Sequence, residues 1–322
     1  MKFGEIYGHQ RQISVLRTVI ANGRVAHAYL FYGMEGLGKR TAAHVFARAL
    51  NCTAEDPPCD DCLSCRKAEH HNHPDIVTVT EGGPIIKIGT VKEIMGQMKF
   101  RPREGRKRVL IMPEADRMNP AAANALLKTL EEPSADNILL LTTTRPHALP
   151  MTILSRCQSL RFSPLPREEV ARFLREKRAV NPDAAAILAA SSGGSIGRAL
   201  EMNRQDYIAL RNGLLDRLAS DNPDDPLARL AFAARFGTER EEILERLLIL
   251  KICYRDALMF RETGEKGILI CQDRIEAIRT IADRLSGRDL LRNITAIEAA
   301  AGAIEKNANK TLTLEAMLIK FA

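Results

Sequence analysis

The sequence predicts an α/β domain built on a parallel sheet, followed by a chain that is helical to its end. Three observations carry this expectation. Apolar, strand-like runs alternate with helical stretches as far as Phe162. The first run feeds a glycine-rich turn that opens a helix. From Arg167 onward the apolar residues keep helical spacing and no strand pattern interrupts them.

Taken in order, residues 27–32 read as a strand and 39–51 as a helix. A second strand is expected over 75–80, then a helix from Val91 to Phe100. A third strand over 109–112 precedes a helix from Asn119 to Leu130. Residues 137–142 and 159–162 complete the strands. Ser163-Pro-Leu-Pro166 reads as a linker, and Arg167 to Leu200 as a small helical domain. Asp221-Asn-Pro-Asp-Asp-Pro226 breaks the remainder, which holds amphipathic helices such as Arg240 to Arg255 and Asp289 to Lys306. The expected division is therefore 1–163, 164–204 and 205–322.

The chain's 322 residues suffice for two or three domains. No apolar run approaches the roughly 18 residues of a membrane span, and the N-terminus lacks the apolar core of a signal peptide. A cytoplasmic location is the expectation. The formal charge of +7 leans towards a polyanionic partner. Trp is absent and aromatics are 5%, so contact with phosphates is expected rather than base stacking.

Gly33-Met-Glu-Gly-Leu-Gly38-Lys39 sits between the first strand and its helix, the context a phosphate-binding loop needs. Gly33, Gly36 and Gly38 let backbone N–H groups approach phosphates, and Lys39 reaches the β and γ phosphates. The next position should carry a hydroxyl for magnesium, but Arg40 stands there. Thr41 follows, turned about 100° round the helix. A second loss concerns the same ion. The run Arg108-Val-Leu-Ile-Met-Pro113-Glu114-Ala-Asp116 is an apolar strand that should end in Asp-Glu, yet Pro113 replaces the Asp. Asp116 comes three positions late. Binding of ATP or ADP without hydrolysis is the expectation.

Cys52, Cys59, Cys62 and Cys65 fall within 14 residues. The two x2 spacings suit a tight loop around a tetrahedral, structural zinc ion with no open position. His70, His71 and His73 follow closely, and one of them replacing a cysteine stays open. Cys157 has no activating His indicated and reads as a small buried apolar residue. Six basic residues and one acid occupy 99–108. Lys99, Arg101, Arg103, Arg106 and Lys107 are candidates for sequence-independent phosphate contact, against the plainer reading of a solvated basic loop.

The order of these features carries a resemblance. The phosphate loop, the four-cysteine insert, Asn124-Ala-Leu-Leu-Lys-Thr-Leu-Glu-Glu-Pro133 and Leu149-Pro-Met-Thr-Ile-Leu-Ser-Arg-Cys157 resemble the AAA+ clamp-loader subunits of bacterial DNA polymerase III. The resemblance is strong from about residue 4 to 200. It implies an AAA+ nucleotide-binding domain, a helical lid and a C-terminal helical collar. It further implies a five-subunit ring with gamma or tau motor subunits and a delta subunit, which loads a sliding clamp onto primer-template DNA. Arg156 is then an arginine finger reaching a neighbour's ATP site. Gly197 stands where hydrolysing members carry a nucleotide-contacting arginine, with Arg198 displaced by one. Thr144 matches the residue that senses the γ-phosphate. Two other readings stay open: an ATP-hydrolysing gamma or tau subunit, and a free-standing zinc-containing DNA-binding adapter.

Overall fold

The computed structural model describes residues 2–79, 83, 85–98, 100–220, 231–233 and 236–321. The expected break at Asp221 to Pro226, the strand end at Thr80 and the candidate contact Lys99 lie outside the described residues. Two compact units emerge, Met1–Phe173 with Gly193–Arg198, and Leu174–Ser192 with Ala199–Ala322.

The first unit opens with α1 (Gln10–Ala21), β1 (Ala28–Tyr32), α2 (Lys39–Asn51), α3 (Leu63–Glu69) and β2 (Ile76–Thr78). It continues with α4 (Ile88–Gln97), β3 (Arg108–Met112), α5 (Pro120–Glu131), β4 (Asn137–Thr143), α6 (Met151–Leu154) and β5 (Gln158–Arg161). The strands form one sheet in the order β2-β3-β4-β1-β5, and every pairing is parallel. The register sets Leu30 beside Leu141 and Tyr32 beside Arg161. β3 and β4 are buried at every position, which fits a sheet covered on both faces.

Alternation along the strands divides the core in two. Tyr29, Phe31, Val109, Ile111, Ile138 and Leu140 face a layer completed by Leu16, Ala42, Val45 and Phe46 of α1 and α2. Ala28, Leu30, Leu110, Met112, Leu139 and Leu141 face the opposite layer, with Val91, Ile94, Ala122 and Leu126 of α4 and α5. α5 starts cleanly because the Asn119 side chain accepts the N–H of Ala122 at 2.8 Å and Pro120 needs no partner at the first helical position.

α7 (Arg167–Arg178) begins in the first unit. α8 (Pro182–Ser191), α9 (Ile196–Arg204), α10 (Tyr207–Ser220), α11 (Arg240–Thr263), α12 (Ile275–Arg284), α13 (Gly287–Glu305) and α14 (Lys310–Ile319) follow. α11 is the axis of the second unit. Its buried Ile243, Leu247, Leu250, Tyr254 and Ala257 recur every three or four residues, as packing between helices requires. Asp256, fully buried on the same helix, accepts the N–H groups of Ile270 and Cys271 at 2.8 and 2.7 Å and so fixes the loop back to α12. Arg211, also fully buried, is paired with Asp273. Cys253 and Cys271 are free thiols in this core.

Replacing the fully buried Leu110 tests the sheet's anchoring. Leu110→Ala should lower stability by about 2–5 kcal/mol. Urea unfolding followed by far-UV circular dichroism should show the earlier transition.

Candidate functional site

The phosphate loop is a hydrogen-bonded joint. Lys39 Nζ donates to the carbonyls of Gly33 at 2.8 Å and Met34 at 2.5 Å. Ser195 Oγ donates to the Glu35 carbonyl at 2.9 Å. The Gly197 N–H donates to the Gly36 carbonyl at 2.9 Å. His9 Nε2 lies 3.0 Å from the Leu37 carbonyl, and the Ala42 N–H donates to that of Gly38 at 2.8 Å. Six successive carbonyls are thus occupied. A carbonyl only accepts, so the His9 ring carries its proton on Nε2. Burial pushes the His9 pKa down, which keeps the ring neutral at physiological pH. Burial also lowers the Lys39 pKa, against the pull of Glu35, Asp116 and Glu114.

Glycine is required where the loop meets residues 194–197. Gly36 has φ +72°, and a Cβ there would fall 2.3 Å from Ser195 Oγ. A Cβ on Gly197 would lie 2.6 Å from the Gly36 Cα. The position that lacks the expected arginine is therefore pressed onto the phosphate loop, with Arg198 one step beyond. Gly38, at φ +83°, opens α2 with Lys39 as first helical residue. Thr41 is half-buried. Arg40 is exposed and lines a cavity of about 280 Å³ with Ala68, His71, His73, Ile76 and Thr78.

Asp116 is occupied elsewhere. Thr143 Oγ1 donates to it at 2.6 Å and Arg145 Nε at 2.9 Å, and its carboxyl is held below the usual range by these bonds, against burial that would raise it. Glu114, in the left-handed region at φ 49°, pairs with Arg117. Thr144 lies past the end of β4 and is exposed, while the buried Thr143 makes the contact.

Arg156 follows α6 and stands before β5, at the opposite end of the sheet from the phosphate loop. Its guanidinium donates to the Thr152 carbonyl and to Glu131 Oε1, each at 3.0 Å. The side chains of Arg156 and Glu131 are 36% and 52% exposed. A pair this open contributes no more than about 1 kcal/mol. Cys157 is half-buried, and burial raises its thiol to about 11, which keeps it protonated and inert.

The sulfurs of Cys52, Cys59, Cys62 and Cys65 lie within 4.8 Å of one another. Four thiolates at a zinc–sulfur distance of about 2.3 Å would sit about 3.8 Å apart, so modest closure completes a tetrahedron. Backbone N–H groups point at the sulfurs: Cys59 to Cys52 at 3.4 Å, Cys62 to Cys59 at 3.3 Å and Cys65 to Cys62 at 3.4 Å. Such donors favour thiolates. The cluster has the composition of a metal site. Arg48 fastens it to α2 by pairing with Asp60 and, at 2.8 Å, with Glu69. Two of the neighbouring histidines are engaged elsewhere, and His70 is exposed. His73 bonds Ser64 and the Asp75 N–H, and His71 stacks edge-on against His44.

The basic loop is held by a residue whose role was not legible in the sequence. Asp75, fully buried, accepts the N–H groups of Arg103, Glu104 and Gly105, each at 2.8 Å, and pairs with Arg108 at 3.0 Å. Burial alone would raise its pKa, but these donors hold it at about 2. Lys107 pairs with Asp136 at 3.1 Å. Arg101, Arg103 and Arg106 remain exposed.

Residues 8–166 match the family described as DNA polymerase III, delta subunit, and residues 205–322 match its C-terminal counterpart. The delta' subunit of DNA polymerase III from Bacillus subtilis is 31% identical over 317 residues, covering 96% of this chain and 94% of that protein. The tau subunit of the same organism is 25% identical over 99% of this chain, which spans 61% of tau's length. A gamma subunit-related protein of Thermotoga maritima shares the fold, with a TM-score of 0.50, 19% identity, and coverage of 94% of this chain and 97% of the other.

Two substitutions test the site. Gly197→Ala should cost about 1–3 kcal/mol by forcing its Cβ against the phosphate loop, read as a lowered melting temperature. Asp75→Ala leaves Arg108 buried and unpaired and should cost about 3–5 kcal/mol near pH 7. Because the folded pKa of Asp75 lies below its unfolded value, its contribution is complete above about pH 4 and lost as pH falls towards 2. Denaturant midpoints of the parent and Asp75→Ala should therefore converge over that window.

Proposed function

We propose an assembly-completing, non-hydrolysing role for this chain, which belongs to the DNA polymerase III clamp-loader family on its delta-prime branch. Its own phosphate loop lacks both magnesium partners, through Arg40 and Pro113, and its lysine is bonded to loop carbonyls. Phosphoryl transfer depends on a metal to neutralise developing charge, so this loop does not support turnover. ATP or ADP taken up by Gly33, Gly36, Gly38, Lys39 and Thr41 is held without hydrolysis and must compete for Lys39.

The observation that carries the proposal is the position of Arg156. β1 leads into the phosphate loop and β5 runs parallel beside it. The four residues of β5 span roughly 13 Å, and Arg156 lies before them, so it cannot serve the loop of its own chain. It is half-buried and held by the Thr152 carbonyl and a weak surface pair with Glu131. A neighbouring subunit's bound nucleotide offers a stronger partner, and a guanidinium there stabilises charge on the transferring phosphoryl group. Thr152 and Glu131 hold the side chain outward until that neighbour docks.

The four-cysteine cluster holds a structural zinc ion in this reading. Residues 1–163 form the AAA+ domain, 164–204 the lid and 205–322 the collar. The collar joins the chain to gamma or tau motor subunits and to delta. The assembly acts on the sliding clamp and primer-template DNA, with Arg101, Arg103 and Arg106 as phosphate contacts, and the setting is cytoplasmic. No helix among the described residues is long and apolar enough to cross a membrane.

The test is Arg156→Ala in a reconstituted loader. Assembly should be intact by sedimentation, and ATP turnover at the adjoining site should fall by about 10³-fold or more. Unchanged turnover by the complex would sink the assignment. The purified chain alone should release no phosphate from ATP.

A further inference from the structure

We propose that the four-cysteine module and the basic loop form one phosphate-binding surface, in which Asn51 is the joint that lets the metal site hold Arg101, Arg103 and Arg106 in place. This rests on the reading of that loop as a DNA contact and gives the metal site a task within it.

The connections run through residues beside the metal ligands. Asn51 is the last residue of α2, immediately before Cys52, and is 2% exposed. Its carboxamide bonds one loop residue twice, donating to the Lys107 carbonyl at 2.9 Å and accepting the Lys107 N–H at 2.8 Å. The loop lies so close that a Cβ on Gly105 would fall 2.6 Å from Asn51 Oδ1. A second tether starts two residues after Cys65, where Lys67 pairs with Glu104 at 2.5 Å. Asp75 supplies the third, through the N–H groups of residues 103–105. Two of the three tethers therefore depend on where the cysteine module puts its flanking residues.

The charges left over define the ligand. Arg108 is committed to Asp75, Lys107 to Asp136, and Glu104 is neutralised by Lys67. Arg101, Arg103 and Arg106 are exposed and make no ion pair among the described residues. Three guanidinium groups on a fixed backbone, with no acid to quench them, suit successive phosphates of one strand. Without the tethers the same arginines would lose loop entropy on binding, which weakens association. No base-reading side chain accompanies them, so the surface is sequence-independent. Metal binding organises a loop of this kind only because the module folds around its ion.

The test uses the full zinc-loaded chain. Hydrogen exchange at the Gly105 and Lys107 amides, read without DNA, reports the coupling. Fluorescence anisotropy with primed DNA at several salt concentrations reports the contact. Stripping the metal with a chelator should speed exchange at both amides and weaken DNA binding. Asn51→Ala should do the same while still binding one equivalent of zinc, measured by atomic absorption. Replacing Arg101, Arg103 and Arg106 by Gln should leave exchange unchanged and make the slope of log K against log salt shallower by roughly 2–3. Protected amides in both the stripped chain and Asn51→Ala would overturn the coupling. A parental salt slope in the arginine variant would overturn the phosphate surface, and an acidic protein partner would then be the occupant. The two failures are distinct, and neither touches the role of Arg156, which the loader's ATPase reads separately.

Discussion

A sheet whose strands all run the same way has two chemically different ends, and the rest of this molecule is arranged around that fact. Loops that follow strands gather at the carboxyl end, and loops that precede them gather at the other. The phosphate loop follows β1, and Pro113 and Glu114 follow β3, so the silent nucleotide site lies at the carboxyl end. Arg156 precedes β5, the basic loop precedes β3, and the cysteine module starts where α2 has returned across the sheet. Strand polarity alone separates the phosphate loop from Arg156, the basic loop and the start of the cysteine module.

The silent site is ordered. Six carbonyls in a row find donors, and the donors come from α1's N-cap His9, from α2 itself and from residues 195–197. Ordinary polar satisfaction accounts for the loop's shape. This explains how a phosphate loop keeps its glycines after losing its metal ligands. Gly36 now answers to Ser195 and Gly197.

Much of this was legible in advance. The five strands, the loop–helix junction at Gly38 and the four clustered cysteines each have a local pattern, because periodicity and turn chemistry act over a few residues. Long-range partners do not. Asp75 looks like any acid before a strand, yet it is fully buried and organises a loop nearly thirty residues away. Asn51, His9 and Ser195 are equally anonymous in sequence. α4 begins at Ile88, a turn before the expected Val91, despite the weak helix propensity of Gly89 and Thr90. Position along β4 decides that Thr143 meets Asp116 while Thr144 lies outside.

The contact between Gly36 and Gly197 also sets a direction for descent. Restoring turnover would need a hydroxyl at 40, an acid at 113 and an arginine at 197. Of these positions, Arg40 is exposed and Pro113 half-buried. The third must pass through a side chain whose first carbon has no room, 2.6 Å from backbone. A lineage drifting back towards catalysis would meet a loss of stability at that step before any gain in chemistry. The packing thus works as a ratchet, in which the close approach of Gly197 to Gly36 opposes an arginine at that position.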